Sequence, residues 1–248
     1  TGAGSTITLQ RTATVVNNKA DRDGGGIFKT DYGAVSVQST TADNDNLAGY
    51  WRMPAGLIAP SNLGGTGGGN YNEDNGTVLI DNASVNSNIA SEQYGGIGTS
   101  GGFGGGIFQS SSASTLTIRN NSNVDSNTAA LDGGGIYNDQ ATIDIEGSSV
   151  DGNTAGVDPY GTYMSPNWTS SILGGNGGGI FNNDGTVTLT DFSATPSSVN
   201  DNFAFGDGVG GDGMGGGIYN TADGDVYVTN SSSVSSNEAQ HDGGGIFN

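Results

Sequence analysis

The chain has 248 residues, 6 Lys+Arg against 25 Asp+Glu, a net charge of −19 and no cysteine. That balance excludes a nucleic-acid binder and a binder of anionic membranes, since both need a positive surface. Without thiols there are no disulfides and no thiolate metal sites, and no apolar run is long enough to span a bilayer.

Glycine supplies 47 residues, and Ser, Thr, Asn and Asp fill much of the rest. The apolar residues are nonetheless ordered. Ile7 and Leu9 alternate in STITLQ, Val15 follows, then Asn18-Lys19-Ala20, then a glycine run closed by Ile27-Phe28. The same order returns six more times. The alternating bursts are Val35/Val37, Val78/Ile80, Leu116/Ile118, Ile143/Ile145, Val187/Leu189 and Val226/Val228. A period of two predicts strands with one buried face. The valine three residues before the Asn recurs at Val85, Val124, Val150, Val199 and Val234, and Asp43 replaces it once. A third strand begins at each glycine anchor with Ile and an aromatic, as in Ile136-Tyr137; Asn70-Tyr71 is the odd copy.

Two landmarks set the register. The third glycine of each anchor falls at 26, 69, 106, 135, 179, 217 and 245, with spacings of 43, 37, 29, 44, 38 and 28. Three spacings are used twice, giving superrepeats of 109 and 110 residues at approximately 27–135 and 136–245. The Asn-x-Ala landmark lies at Asn18, Asn46, Asn88, Asn127, Asn153, Asn202 and Asn237, and it follows the previous anchor by 18 to 23 residues. Most length variation comes after that Asn, so the long inserts leave from one corner of a constant scaffold.

Short strands repeated in this way, none able to bury its apolar stripe alone, predict an all-β fold. The expected architecture is a right-handed parallel β-helix, a solenoid of about seven coils forming a single domain over 1–248, with the aligned Asn side chains bonded into a ladder. The competing architecture is a β-sandwich with evenly spaced turns. Each glycine costs roughly 0.5–1 kcal/mol relative to alanine in a regular element, so the triplets predict a corner that turns tightly, takes positive φ or permits close approach.

The unit GGGI(F/Y)N … TLTI … S-x-V-x-x-N-x-A resembles right-handed parallel β-helix repeats of bacterial surface proteins. These include the GGAI and FxxN repeats of polymorphic outer-membrane proteins and repeats of adhesin-like secreted proteins. The resemblance covers the whole chain, with GGG standing where that repeat has GGA. It implies a cell-surface or extracellular location and no assigned catalytic residue. Adhesins, autotransporter passengers, polysaccharide lyases and fibre components share that architecture, so fold alone does not choose among them.

Most carboxylates stand singly in turns, and the only histidine is His241. The chain is therefore expected not to be an enzyme; a carbohydrate-binding or polysaccharide-degrading protein is the alternative, with Asp43-Asn44-Asp45-Asn46 its best acidic cluster. No cofactor is expected except calcium, for which Asp43, Asp45, Asp207 and Asp212 are the candidate oxygen ligands. An ice-binding array is a lesser reading, because the outward pairs Thr6/Thr8, Thr115/Thr117 and Thr186/Thr188 are never on consecutive repeats. The five N-x-[ST] sequons are near chance for this composition.

The two longest inserts hold both tryptophans. Tyr50, Trp51, Met53, Tyr160, Tyr163, Met164 and Trp168 are the candidate contact residues, for a protein or a glycan. The chain opens at Thr1 without a signal peptide and is expected to be a mature or trimmed part of a longer precursor. Joining Asn248 to Thr1 on paper restores an anchor spacing of 29. The expected function is thus a structural surface protein, either an adhesin-like passenger or a filament subunit stacking end to end.

Overall fold

In a computed structural model of the chain, the residues described are 4–20, 22–30, 32–39, 42–48, 65–91, 101–158, 171–172, 174–207 and 212–248. Among them every regular element is a strand, and three all-parallel sheets of seven strands each dominate. The first collects the alternating bursts: Thr6–Gln10, Ala34–Gln38, Thr77–Asp81, Thr115–Arg119, Thr142–Glu146, Thr186–Thr190 and Asp225–Val228, in chain order. The second is built from the two residues after each ladder Asn, from Lys19–Ala20 to Glu238–Ala239. The third contains the anchor strands, from Ile27–Lys29 through Ile136–Asp139 to Ile246–Phe247. Each strand pairs with its equivalents in the preceding and following repeats, an arrangement compatible with a parallel β-helix.

The in-register stacking follows from the alternation. Val35, Val78, Leu116, Ile143 and Val187 align in one interior column, and Val37, Ile80, Ile118, Ile145 and Leu189 in the next. All ten are fully buried, as are Ile107, Ile136, Ile180 and Ile218 from the anchors. Burying each such side chain contributes about 1.5–3 kcal/mol, and a slip of one residue would turn the whole column outward.

The second sheet is a refinement over expectation: Asn-x-Ala marks a strand of its own. The valine segment pairs regularly only in Thr14–Val16 with Ala42–Asn44 and Ser198–Asn200 with Ser233–Ser235, with single bridges between Ser84, Asn123, Ser149 and Ser198. One residue sets the Asn-x-Ala strand apart from the valine segment in every repeat. Asn17, Asp45, Ser87, Ser126, Asp201 and Ser236 have φ between 55° and 58°, and Gly152 has φ 65°. Each lies just before the ladder Asn, so a left-handed corner separates the valine from the strand that follows.

Outside the sheets' interior, Arg119 spans to Asp81 on the adjacent strand, with Nη2 and Nε at 2.9 and 3.2 Å from Oδ2. Both side chains are partly exposed, so Arg119→Ala is expected to lower stability by only about 0.2–1 kcal/mol in urea titrations. The loss should shrink further in 1 M salt, where the screening length is about 3 Å.

Candidate functional site

All seven ladder residues meet as expected. Asn127 shows the pattern: its backbone N–H and its Nδ2 donate to Asn153 Oδ1 at 2.8 and 3.0 Å, while Nδ2 also donates to the Val85 carbonyl at 2.9 Å. Side-chain bonds of 2.9–3.1 Å run without interruption from Asn18 through Asn46, Asn88, Asn127, Asn153 and Asn202 to Asn237. Both amide hydrogens and the oxygen are used at each interior rung, which is what a buried amide requires.

The third glycine of each triplet makes room for this ladder, and the other two shape the corner. In Gly133-Gly134-Gly135 the first residue has φ 69°. A Cβ on Gly134 would overlap the Gly178 carbonyl oxygen and sit 2.5 Å from the Thr154 carbonyl. One on Gly135 would lie 2.7 Å from the Gly179 oxygen and 2.9 Å from Asn153 Nδ2. The first glycine is thus conformational and the next two are spatial. The two sequence landmarks are one device, a corner emptied of side chains so that an amide can cross it.

A second amide ladder was carried by the motif GGGI(F/Y)N but not read from it. Asn138, Asn182 and Asn220 donate from Nδ2 to Asn182, Asn220 and Asn248 at 2.7, 2.7 and 2.6 Å, and each also bonds a carbonyl just ahead, at Ala141, Gly185 or Gly224. In the first half Asn72 Nδ2 reaches Gln109 Oε1 at 2.8 Å. Gln109 and Asn138 are in register, yet Gln109 Nε2 and Asn138 Oδ1 have no hydrogen-bond partner, and the ladder is interrupted there. Lys29 takes the first position of this column, in register with Asn72.

The aromatics of the anchors form a column on the outer side of the third sheet. Phe28, Tyr71, Phe108, Tyr137, Phe181, Tyr219 and Phe247 stack with centroids 4.8–5.3 Å apart and planes within 2–17°. Each contact adds about 0.5–1.5 kcal/mol beyond burial. Ring faces inside the column are covered by one another and only edges face outward, so interior rings have no free face for a sugar. The alternation of Phe and Tyr was visible in the sequence; their co-facial contact was not.

The acidic candidates separate. Asp43 is fully buried while Asp45 is exposed, so they point to opposite sides and do not converge on one ion. Asp212 Oδ2 and the Asp207 backbone N–H both lie near Gly174. Among the described residues no group of three or more His, Asp or Glu is placed to hold a metal. Asp132, which sequence reasoning passed over, accepts from Asn176 N–H at 2.7 Å and Nδ2 at 3.2 Å. Burial first, then the charge of Asp212, push its pKa up to about 6 against those hydrogen bonds. Burial and the charges of Asp132 and Asp139 push the Tyr137 phenol up to about 12. Other outer acids serve the scaffold: Asp125 and Asp151 accept backbone N–H groups of Asp151 and Asn200 at 3.0 and 2.7 Å.

Tyr50, Trp51, Met53, Tyr160, Tyr163, Met164 and Trp168 lie outside the described residues. The antiparallel pair Val157–Asp158 and Ser171–Ile172 flanks the second insert. No family model, no curated protein and no solved structure matches the chain.

Proposed function

We propose that the chain winds as a right-handed parallel β-helix of about seven coils, with a three-coil superrepeat of about 110 residues. Its role in this reading is structural, at a cell surface or outside the cell, as an adhesin-like passenger or a filament subunit. The observation that carries the reading is the use made of the polar interior. Its amides run repeat to repeat in ladders and lock the scaffold, rather than converging on a point. The GGGI(F/Y)N resemblance and the acidic, cysteine-free composition support the surface location.

Self-association through the terminal repeats is the proposed contact, with the inserts as a second one. A second copy would extend the first ladder from Asn237 to Asn18 and the ring column from Phe247 to Phe28. The second ladder opposes a seamless join, because the Asn248 amide would meet Lys29, which donates and never accepts. Electron microscopy of the purified chain tests this. Short end-to-end assemblies are expected, lengthened by Lys29→Asn; monodisperse single rods for both proteins would overturn it.

The carbohydrate reading draws on the placement of two carboxylates: Asp132, held by Asn176, lies within electrostatic reach of Asp212. Glycan-array binding, or turnover of an acidic polysaccharide lost in Asp132→Asn, would favour it over the structural role. Calcium, as a ligand of Asp207 and Asp212, is tested by a thermal shift that disappears in Asp212→Asn.

A further inference from the structure

The position three residues before the ladder Asn holds a fully buried valine at Val85, Val124, Val150 and Val199. In the second repeat it holds Asp43, equally buried. Its Oδ1 lies 2.7 Å from Asn46 Nδ2, and its Oδ2 has no hydrogen-bond partner. Asn46 Nδ2 already has the two acceptors that every interior rung uses, the Val15 carbonyl at 3.0 Å and Asn88 Oδ1 at 3.0 Å. Two hydrogens therefore face three acceptors at this rung and at no other rung of the ladder.

We propose that Asp43 is a proton-operated release on the Asn ladder. Protonated, it leaves both Asn46 hydrogens in the ladder; ionised, it draws one of them away and loosens the second repeat from its two neighbours, since those hydrogens go to Val15 in the first repeat and Asn88 in the third. Among the described residues, the groups packed around it do not offset a charge. The neighbouring strand brings Val15, the glycine corner brings Gly26, and the following repeat pairs through Ser84. Asp23 is partly buried near that corner and carries the same sign, while Asp45 is exposed. Lys29, buried on the anchor strand, has its Nζ 3.4 Å from the Asp74 carbonyl.

Desolvation holds the Asp43 carboxyl well above its ordinary 3.8. Below about pH 4 the folded and opened states both keep the proton and no penalty exists. Above that pH the opened state loses it first, so opening becomes about tenfold easier per pH unit until Asp43 itself ionises in the folded state. Stability is present in acid and lost as pH rises.

Hydrogen exchange of the Asn18 and Asn46 backbone amides, which donate to the next rung at 3.1 and 2.9 Å, reads this directly. After correction for intrinsic exchange, their protection is expected to fall by up to about tenfold per unit above pH 4, while Asn127 and Asn153 stay level. Asp43→Val, which restores the residue of the other repeats, and Asp43→Asn are both expected to abolish the dependence. Protection of Asn18 and Asn46 that is flat with pH in the parent chain would overturn the proposal. So would a dependence that persists in whichever of the two variants folds.

Discussion

Gly134→Ala is expected to cost about 3 kcal/mol or more, enough to abolish cooperative unfolding or to leave the chain insoluble. The added methyl meets only backbone of the next repeat, the Gly178 carbonyl oxygen and the Thr154 carbonyl. Neither neighbour is a flexible side-chain end. Each is fixed by a hydrogen bond between repeats: the Gly178 carbonyl accepts from Gly135 N–H at 3.2 Å, and Thr154 donates its N–H to the Asn127 carbonyl at 2.9 Å. Relief would have to spread along the sheet. Gly152→Ala is the control: φ is 65°, but the nearest atom to a new Cβ is Ser126 Oγ at 3.7 Å. Six other repeats place a non-glycine residue in that conformation, so the cost should be about 1–2 kcal/mol. Urea unfolding followed by circular dichroism separates the two. Equal losses would show that conformation alone, not space, explains the triplets.

Asn153→Ala is the second large effect, expected at about 3–5 kcal/mol. It removes four hydrogen bonds: two accepted from Asn127, one donated to the Val124 carbonyl at 2.9 Å and one donated to Asn202 at 3.0 Å. The Asn127 N–H and the Val124 carbonyl are left buried, and each unmet group costs about 1–3 kcal/mol. The same change at the exposed Asn18 should cost under about 1 kcal/mol, because water replaces what is lost there. A small loss at Asn153 would mean that the columns of Ile, Leu and Val hold the repeats together without the amides.

Much of the scaffold was legible because identical neighbours must repeat at identical positions. Alternation at Ile143/Ile145 named the inward face, and the fixed distance from anchor to Asn named the ladder, both without reference to a fold. The strand boundaries were harder. The residue that ends the valine segment is Asn, Asp, Ser or Gly, and only its shared left-handed φ unites them. Asn72, Gln109 and Asn138 looked like ordinary strand residues, because Lys29 and Gln109 hide the regularity of their column.

The chain by itself determined the period, the inward apolar columns, the first ladder and the place where inserts leave, since all of these are local patterns multiplied. Only the tertiary structure decided which partners 26 to 52 residues apart make contact. Stacking set the ring column face to face, left Gln109 and Asn138 unmatched, and turned Asp43 inward beside a rung with no hydrogen to spare. The glycine triplets show the division most plainly. Their cost could be counted from the sequence, but its return is a carbonyl and an amide from other repeats occupying the space where a methyl would be.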